Sequence, residues 1–185
     1  MEKNKKNIIK EKSKTDITWI ISITLLAFVI SLTLAFISEL IIPGASLIVN
    51  VITIVLFIAI NIVSDTIGVA IQSAEGKVFN SMSAKKLKGA TTAIDLIKNK
   101  EKVSSFCCDV IGDICGVLSG SCGLTIAQRL SGSFNTSLVV TIILMTGIIS
   151  ALTIAGKAFG KVYAVNKSNE IIYNLVKVLS VFNKN

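Results

Sequence analysis

The segment ISELIIPGASLIVNVITIVLFIAINIVSDTIGVAIQS, residues 37–73, holds the plan of the molecule in one line. From Leu40 to Ser64 it carries no charge, and its middle is almost entirely aliphatic. About 20 consecutive apolar residues suffice for a helix to cross the hydrocarbon core of a bilayer, so a span is expected from Ser46 to about Val69. Pro43-Gly44 is a turn signal where the preceding apolar run has used up its length, and Ser46 can cap the helix that follows. One segment thus supplies the end of a first span, a tight hairpin turn and a whole second span. Along the second span Asn50, Asn61, Asp65, Gly68 and Gln72 recur at helical spacing and make one polar stripe.

On the N-terminal side, Ile17 to Ser38 is a run of 22 uncharged residues. Trp19 stands near its start, where an indole favours the membrane interface. This first span, ending near Ile42, is too long for the apolar core of a signal peptide and lacks a small-residue cleavage site, so it is expected to be retained. Residues 1–16, with six lysines, read as a basic cytoplasmic tail. On the C-terminal side, residues 72–104 carry seven lysines, with Phe79, Met82, Leu87, Ile94 and Ile97 at three- to five-residue intervals over much of the stretch. They read as a cytoplasmic hairpin of two short amphipathic helices broken near Gly89, on an anionic leaflet. A solvated loop that serves topology alone is the alternative. Phe106 to about Gln128 is a weaker apolar segment, a full span or a broken one. Leu130 to Gly156 is 27 residues without charge and spans comfortably. Residues 157–185 turn basic again, and Ser168 opens an amphipathic helix with Ile171, Ile172, Leu175, Val178, Leu179 and Phe182 on a broad face.

The expected fold is therefore an all-α integral membrane protein: four transmembrane helices within 17–156, a basic hairpin at 72–104, and a C-terminal amphipathic helix. Composition agrees. The chain of 185 residues is 52% hydrophobic and 16% charged, with mean hydropathy +0.75, whereas about 25% of residues are charged in an ordinary soluble domain. The absence of histidine excludes a His base, metal ligand or pH switch. No nucleophile constellation or cofactor motif is found, so an enzyme is not expected. Nor is a nucleic-acid partner, because the basic residues flank apolar runs instead of alternating with aromatics. Their distribution is six before the first span, none between one and two, seven between two and three, one (Arg129) between three and four, and five after four. By the positive-inside rule both termini and the 72–104 hairpin are expected in the cytoplasm of a multi-pass cell-membrane protein.

Asp109 and Asp113 are four residues apart on one helix face, and Gly112, Gly116 and Gly120 repeat at the same spacing. Gly147, Ala151 and Ala155 offer a matching small-residue surface on the fourth span. Close packing of spans three and four is expected, with the acids facing protein. Cys108, Cys115 and Cys122 lie a heptad apart and read as packing residues, not as a metal site. Asp65, Asp109 and Asp113 share one depth near the cytoplasmic end, where an uncompensated carboxylate costs up to about 3 kcal/mol. Two compensators are open. One is Mg²⁺ held by Asp109, Asp113 and Asp65, with Asn61, Ser105, Ser64 and Ser119 as neutral oxygens nearby in sequence. The other is an ion pair with Lys157, Lys161 or Lys102, or a protonated acid.

QSAEGKVFNSMSAKKLKG (72–89) followed by IKNKEKVSSFCCDVIGDICG (97–116) resembles the transmembrane domain of the CorB/CorC and CNNM family of magnesium and cobalt transporters. Ser73-Ala74-Glu75 is similar to that family's Ser-Ala-x-Glu-like motif, and the second stretch to its polar helix start after a basic hairpin. Where the family usually has an Asn pair after a Gly, this chain has Asp109 and Gly112-Asp113, so carboxylates would replace amide ligands. The family's cytoplasmic CBS pair is expected to be missing. The resemblance implies transport of a divalent cation, Mg²⁺ or Co²⁺; the alternative is a related non-transporting scaffold or regulatory subunit. Expected partners are membrane lipids, a divalent cation and a second copy of the chain as a homodimer.

Overall fold

The computed structural model describes residues 2–42, 44–85 and 89–182. Pro43 of the expected turn and Lys86, Leu87 and Lys88 of the basic hairpin lie outside the described residues, as do residues 183–185. All regular structure among the described residues is helical, and four helices are long and apolar enough to cross a membrane. The chain is an all-α protein of the multi-pass membrane type.

The chain divides into two compact units, one ending at Ile41 and one starting at Ile42. The first is a single helix, α1, Glu2–Ile41. The apolar stretch Ile17–Leu40 is its candidate span. Residues 2–16, read from sequence as a tail, continue the same helix. No Pro or Gly interrupts them, and Lys and Glu are good helix formers.

The second unit is built around α2, Leu47–Ser73. Ser46 caps it as expected, its hydroxyl accepting from the Val49 N–H at 3.4 Å. Next come α3 (Gly76–Ala84) and α4 (Ala90–Lys98). Gly89, at φ 85°, starts α4 in the left-handed region that favours glycine, so the expected break is where the sequence put it. The third apolar segment is one helical rod from Lys100 to Phe134, unbroken and long and apolar enough to cross a membrane. Within it α5 (Lys100–Ser105) and α6 (Gly112–Phe134) flank a π-helical segment, Phe106–Ile111. Widened turns of this kind are rare and cluster at functional sites.

Asn135, at φ 50°, closes α6, with the Thr136 N–H bonded to the Ser131 carbonyl at 3.2 Å. Asn adopts this conformation more readily than most residues, which moves the boundary between spans three and four from residue 129 to 135–137. The fourth span, α7 (Leu138–Asn166), runs ten residues past the sequence-based end at Gly156 and carries Lys157 and Lys161 as part of the rod. The C-terminal helix α8 is Ser168–Phe182.

Helices α5, α6, α7, α8 and the π-helical segment all pack on α2. Two apolar cores result. Ile42, Ile54, Ile58, Cys122, Ile126 and Ile149 form one toward the start of α2. Ile71, Phe79, Ala93, Ile172 and Val176 form the other at its end, where Asn169 Oδ1 also accepts from the Glu75 N–H at 3.3 Å. The short helices α3, α4 and α8 therefore turn apolar side chains toward the bundle. On the apolar side of α8 Ile172 and Val176 make the buried seam, while Val178 and Leu179 are exposed. The outer faces of α2 and α7, with Ile48, Val55, Val139 and Ile143, remain exposed and suit lipid.

The closest approaches differ from the expected glycine stripe. Gly112 and Gly116 face Asn61 of α2, while Gly120 and Gly147 have open space beside them. The α6–α7 contact is made by Gly123 against Ile149. The tight seam is α2 on α7, where Gly156 and Gly160 receive Ile62 and Thr66. That pair is a G-x-x-x-G spacing, which lets backbones approach closely.

Candidate functional site: a polar cleft between the spans

A cleft of about 450 Å³ opens where α2, α5, the π-helical segment, α6 and α7 meet. Its charged lining is four carboxylates, Asp65, Glu101, Asp109 and Asp113, and two ammonium groups, Lys157 and Lys161. Gln72, Ser104, Ser105 and Cys108 complete most of the wall. Clefts of 300–1,000 Å³ are the usual size for small ligands.

Each element presents its groups through a local periodicity. Glu101, Ser105, Asp109 and Asp113 are spaced by four along the third span, and Lys157 and Lys161 by four along α7. Asp65, Val69 and Gln72 line the cleft from α2. The π-helical segment is held to α2 by two contacts. The Ser64 hydroxyl donates to the Cys107 carbonyl at 2.7 Å, and the Cys108 thiol lies 3.7 Å from the Asp65 carbonyl. Gly68 permits this closeness: a Cβ there would meet the Cys108 sulfur and stand 3.1 Å from the Ser104 carbonyl oxygen.

Asp65 is 4% exposed, and its Oδ2 accepts no hydrogen bond. Lys161 Nζ stands 3.6 Å from that oxygen, with the Lys161 side chain 53% exposed. Asp109 is exposed to the cleft and accepts from the Ser105 hydroxyl at 2.7 Å. Asp113 is exposed as well, and both acids border an open cleft whose other walls are α2 and α7. Of the five expected metal ligands the cleft brings together Asp65, Asp109, Asp113 and Ser105. Asn61 does not line it. Its buried Oδ1 has no hydrogen-bond partner and sits against α6, 3.2 Å from where a Gly112 Cβ would be. Ser64 and Ser119 are committed to the carbonyls of Cys107 and Gly116.

Among the described residues no three Asp, Glu, Cys or His side chains converge to hold a metal ion. Sequence reasoning missed Glu101, although its place in the four-residue series with Ser105, Asp109 and Asp113 was there to be read. Comparison with protein-family models, with curated proteins and with solved structures finds no match.

Proposed function

We propose that the chain is a multi-pass membrane protein that takes a partly hydrated divalent cation, Mg²⁺ or Co²⁺, into the cleft between its spans and serves its transport, with no catalytic role. The observation that carries this reading is the cleft's formal excess of two carboxylates over ammonium groups, set among helices whose outer faces are apolar. A polar cavity inside a membrane bundle marks a solute pathway by default. The resemblance of residues 72–89 and 97–116 to the CorB/CorC and CNNM transmembrane domain supports the choice of cation. The distribution of basic residues supports a cell-membrane orientation with both termini, and with them the mouth of the cleft, in the cytoplasm. Association as a homodimer belongs to the same proposal.

A second reading is favoured by one observation, the Asp65–Lys161 pair at 3.6 Å. In it the protein is a scaffold or regulatory subunit, and the acids are structural partners of the lysines.

Thermal melts of the purified full chain with EDTA and with millimolar Mg²⁺ separate the two. The transport reading expects Mg²⁺ to raise the melting temperature, with Asp65→Asn, Asp109→Asn and Asp113→Asn each weakening the rise. If the wild type melts identically in both and the three variants are destabilised equally in both, the scaffold reading replaces it. Orientation is checked separately: a cysteine at Ser131 should label from outside in intact cells, above the native cysteine background, and one at Lys98 should not.

A further inference from the structure

Lys161 and Lys157 stand one turn apart on α7, and both face a cleft that also holds Asp65. The two members of the Asp65–Lys161 pair differ in freedom. The Asp65 side chain is 6% exposed and fixed on the central helix, while the Lys161 side chain is 53% exposed on a flexible four-carbon stem. At 3.6 Å the ammonium is an ion-pair partner, and Asp65 Oδ2 accepts no hydrogen bond from it or from any other described group. A buried carboxylate oxygen on the wall of an open cleft is thus faced, among the described residues, by a charge on a half-exposed, flexible stem.

We propose that Lys161, with Lys157 one turn before it, is a tethered counter-cation that an entering ion must displace from Asp65, and that the two lysines thereby set a valence threshold favouring divalent over monovalent cations. This rests on the cation reading of the cleft. Exchange of the Lys161 ammonium for a monovalent ion leaves the charge beside Asp65 unchanged, so nothing electrostatic is gained. Exchange for a divalent ion adds one positive charge in a cleft lined by Asp65, Asp109, Asp113 and Glu101, whose carboxylates attract it. Occupancy by the tether also lowers apparent affinity, because the ion binds only the fraction of molecules whose Asp65 is uncovered.

The experiment uses the full chain in nanodiscs, melted during titration with MgCl₂ or with NaCl at matched ionic strength, as wild type, Lys161→Gln, Lys161→Arg and Lys157→Gln. Lys161→Gln should melt below wild type in EDTA, since it leaves a buried carboxylate uncompensated. It should recover in Mg²⁺ with a midpoint about tenfold lower than wild type, and gain a response to Na⁺ that wild type lacks. Lys161→Arg, keeping the charge, should hold the wild-type midpoint and selectivity. Lys157→Gln should shift the midpoint in the same direction by less, and it decides the matter if Lys161→Gln does not fold. A wild-type Mg²⁺ midpoint unchanged in both Gln variants overturns the tether and leaves the cation site standing. A wild type and variants that ignore Mg²⁺ altogether overturn the cation reading and the tether with it.

Discussion

The two ends of α2 treat polar residues in opposite ways. Toward its C-terminal end Asp65 and Gln72 border a cleft, and Ser64 bonds across to the π-helical segment. Toward its start Asn50 is fully buried, and neither its Oδ1 nor its Nδ2 has a hydrogen-bond partner. Between them Ile54 and Ile58 join Cys122, Ile126 and Ile149 in a dry apolar layer. The difference lies in what faces the helix. At one end the neighbours contribute a four-residue series of polar groups and two lysines. At the other they contribute isoleucines and a cysteine to the core, and the Arg129 guanidinium donates to the Ala45 carbonyl at 2.6 Å just before the helix. A polar side chain in a membrane bundle is informative about function where its neighbours leave room and partners, and costly where they do not.

The largest effect should come from forcing the crowded end apart. Gly68→Leu has no space beside Ser104 and Cys108 and should cost about 3 kcal/mol or more, read as a fall in melting temperature of roughly 2–4 °C per kcal/mol. Gly120→Leu, with open space around it, should stay within about 0.5 kcal/mol of wild type. Equal losses in the two variants would mean that Gly68 is not the crowded position and Gly120 not the open one.

Next comes the dry layer. Ile126 is 2% exposed in the apolar core, and Ile126→Ala should cost about 2–3 kcal/mol through the cavity it leaves. The Mg²⁺ midpoint of this variant should match that of wild type, because the layer and the cleft are separate. A shifted midpoint would show that the two ends are coupled.

A gain of stability is expected at Asn50. An unpartnered buried amide costs about 1–3 kcal/mol, so Asn50→Leu should melt higher than wild type, by the equivalent of about 1 kcal/mol. A lower melting temperature would show that this amide has a ligand or water to serve, and the contrast between the two ends of α2 would fail.

The smallest effect lies outside the spans. Lys167, just past α7, pairs with Glu170 in the first turn of α8 at 2.7 Å, and this contact raises the Lys167 pKa above its ordinary 10.5. A raised lysine pKa stabilises the folded state fully below about 10.5 and loses that contribution as pH climbs through the higher folded value. The difference in melting temperature between wild type and Glu170→Gln should therefore be small, flat from pH 6 to 9, and shrink only above about pH 10.5. A difference that changes between pH 6 and 9 would assign the effect to another group.

Much of this architecture was legible from residues 37–73 and their flanks. The spans, the Ser46 cap and the break at Gly89 follow from local rules, and each appears within the described residues. Span boundaries were less legible: Asn135 ends α6 although Arg129 looked like the break, since any turn residue that tolerates a positive φ can serve. Of the cleft lining, Asp109 and Asp113 were read from spacing, Asp65 from its depth and Ser105 from its nearness in sequence, while Glu101 was open to the same reading of spacing. Asn61 lies outside the cleft lining, because its place around the α2 axis turns it toward Gly112 and Gly116. The seam at Gly156 and Gly160 was overlooked in favour of Gly147, Ala151 and Ala155, one face away on the same helix.

Sequence alone fixed which segments are helical and apolar enough to span a membrane, because backbone satisfaction and hydrophobic length are properties of contiguous residues. It could not fix which way each helix is turned. That rotation depends on where one backbone can approach another, here Gly68 against the π-helical segment and Gly156 and Gly160 against Ile62 and Thr66. The meeting of Asp65 with Lys161, 96 positions apart in the chain, follows from that packing, since a partner so distant in sequence is chosen by three-dimensional shape.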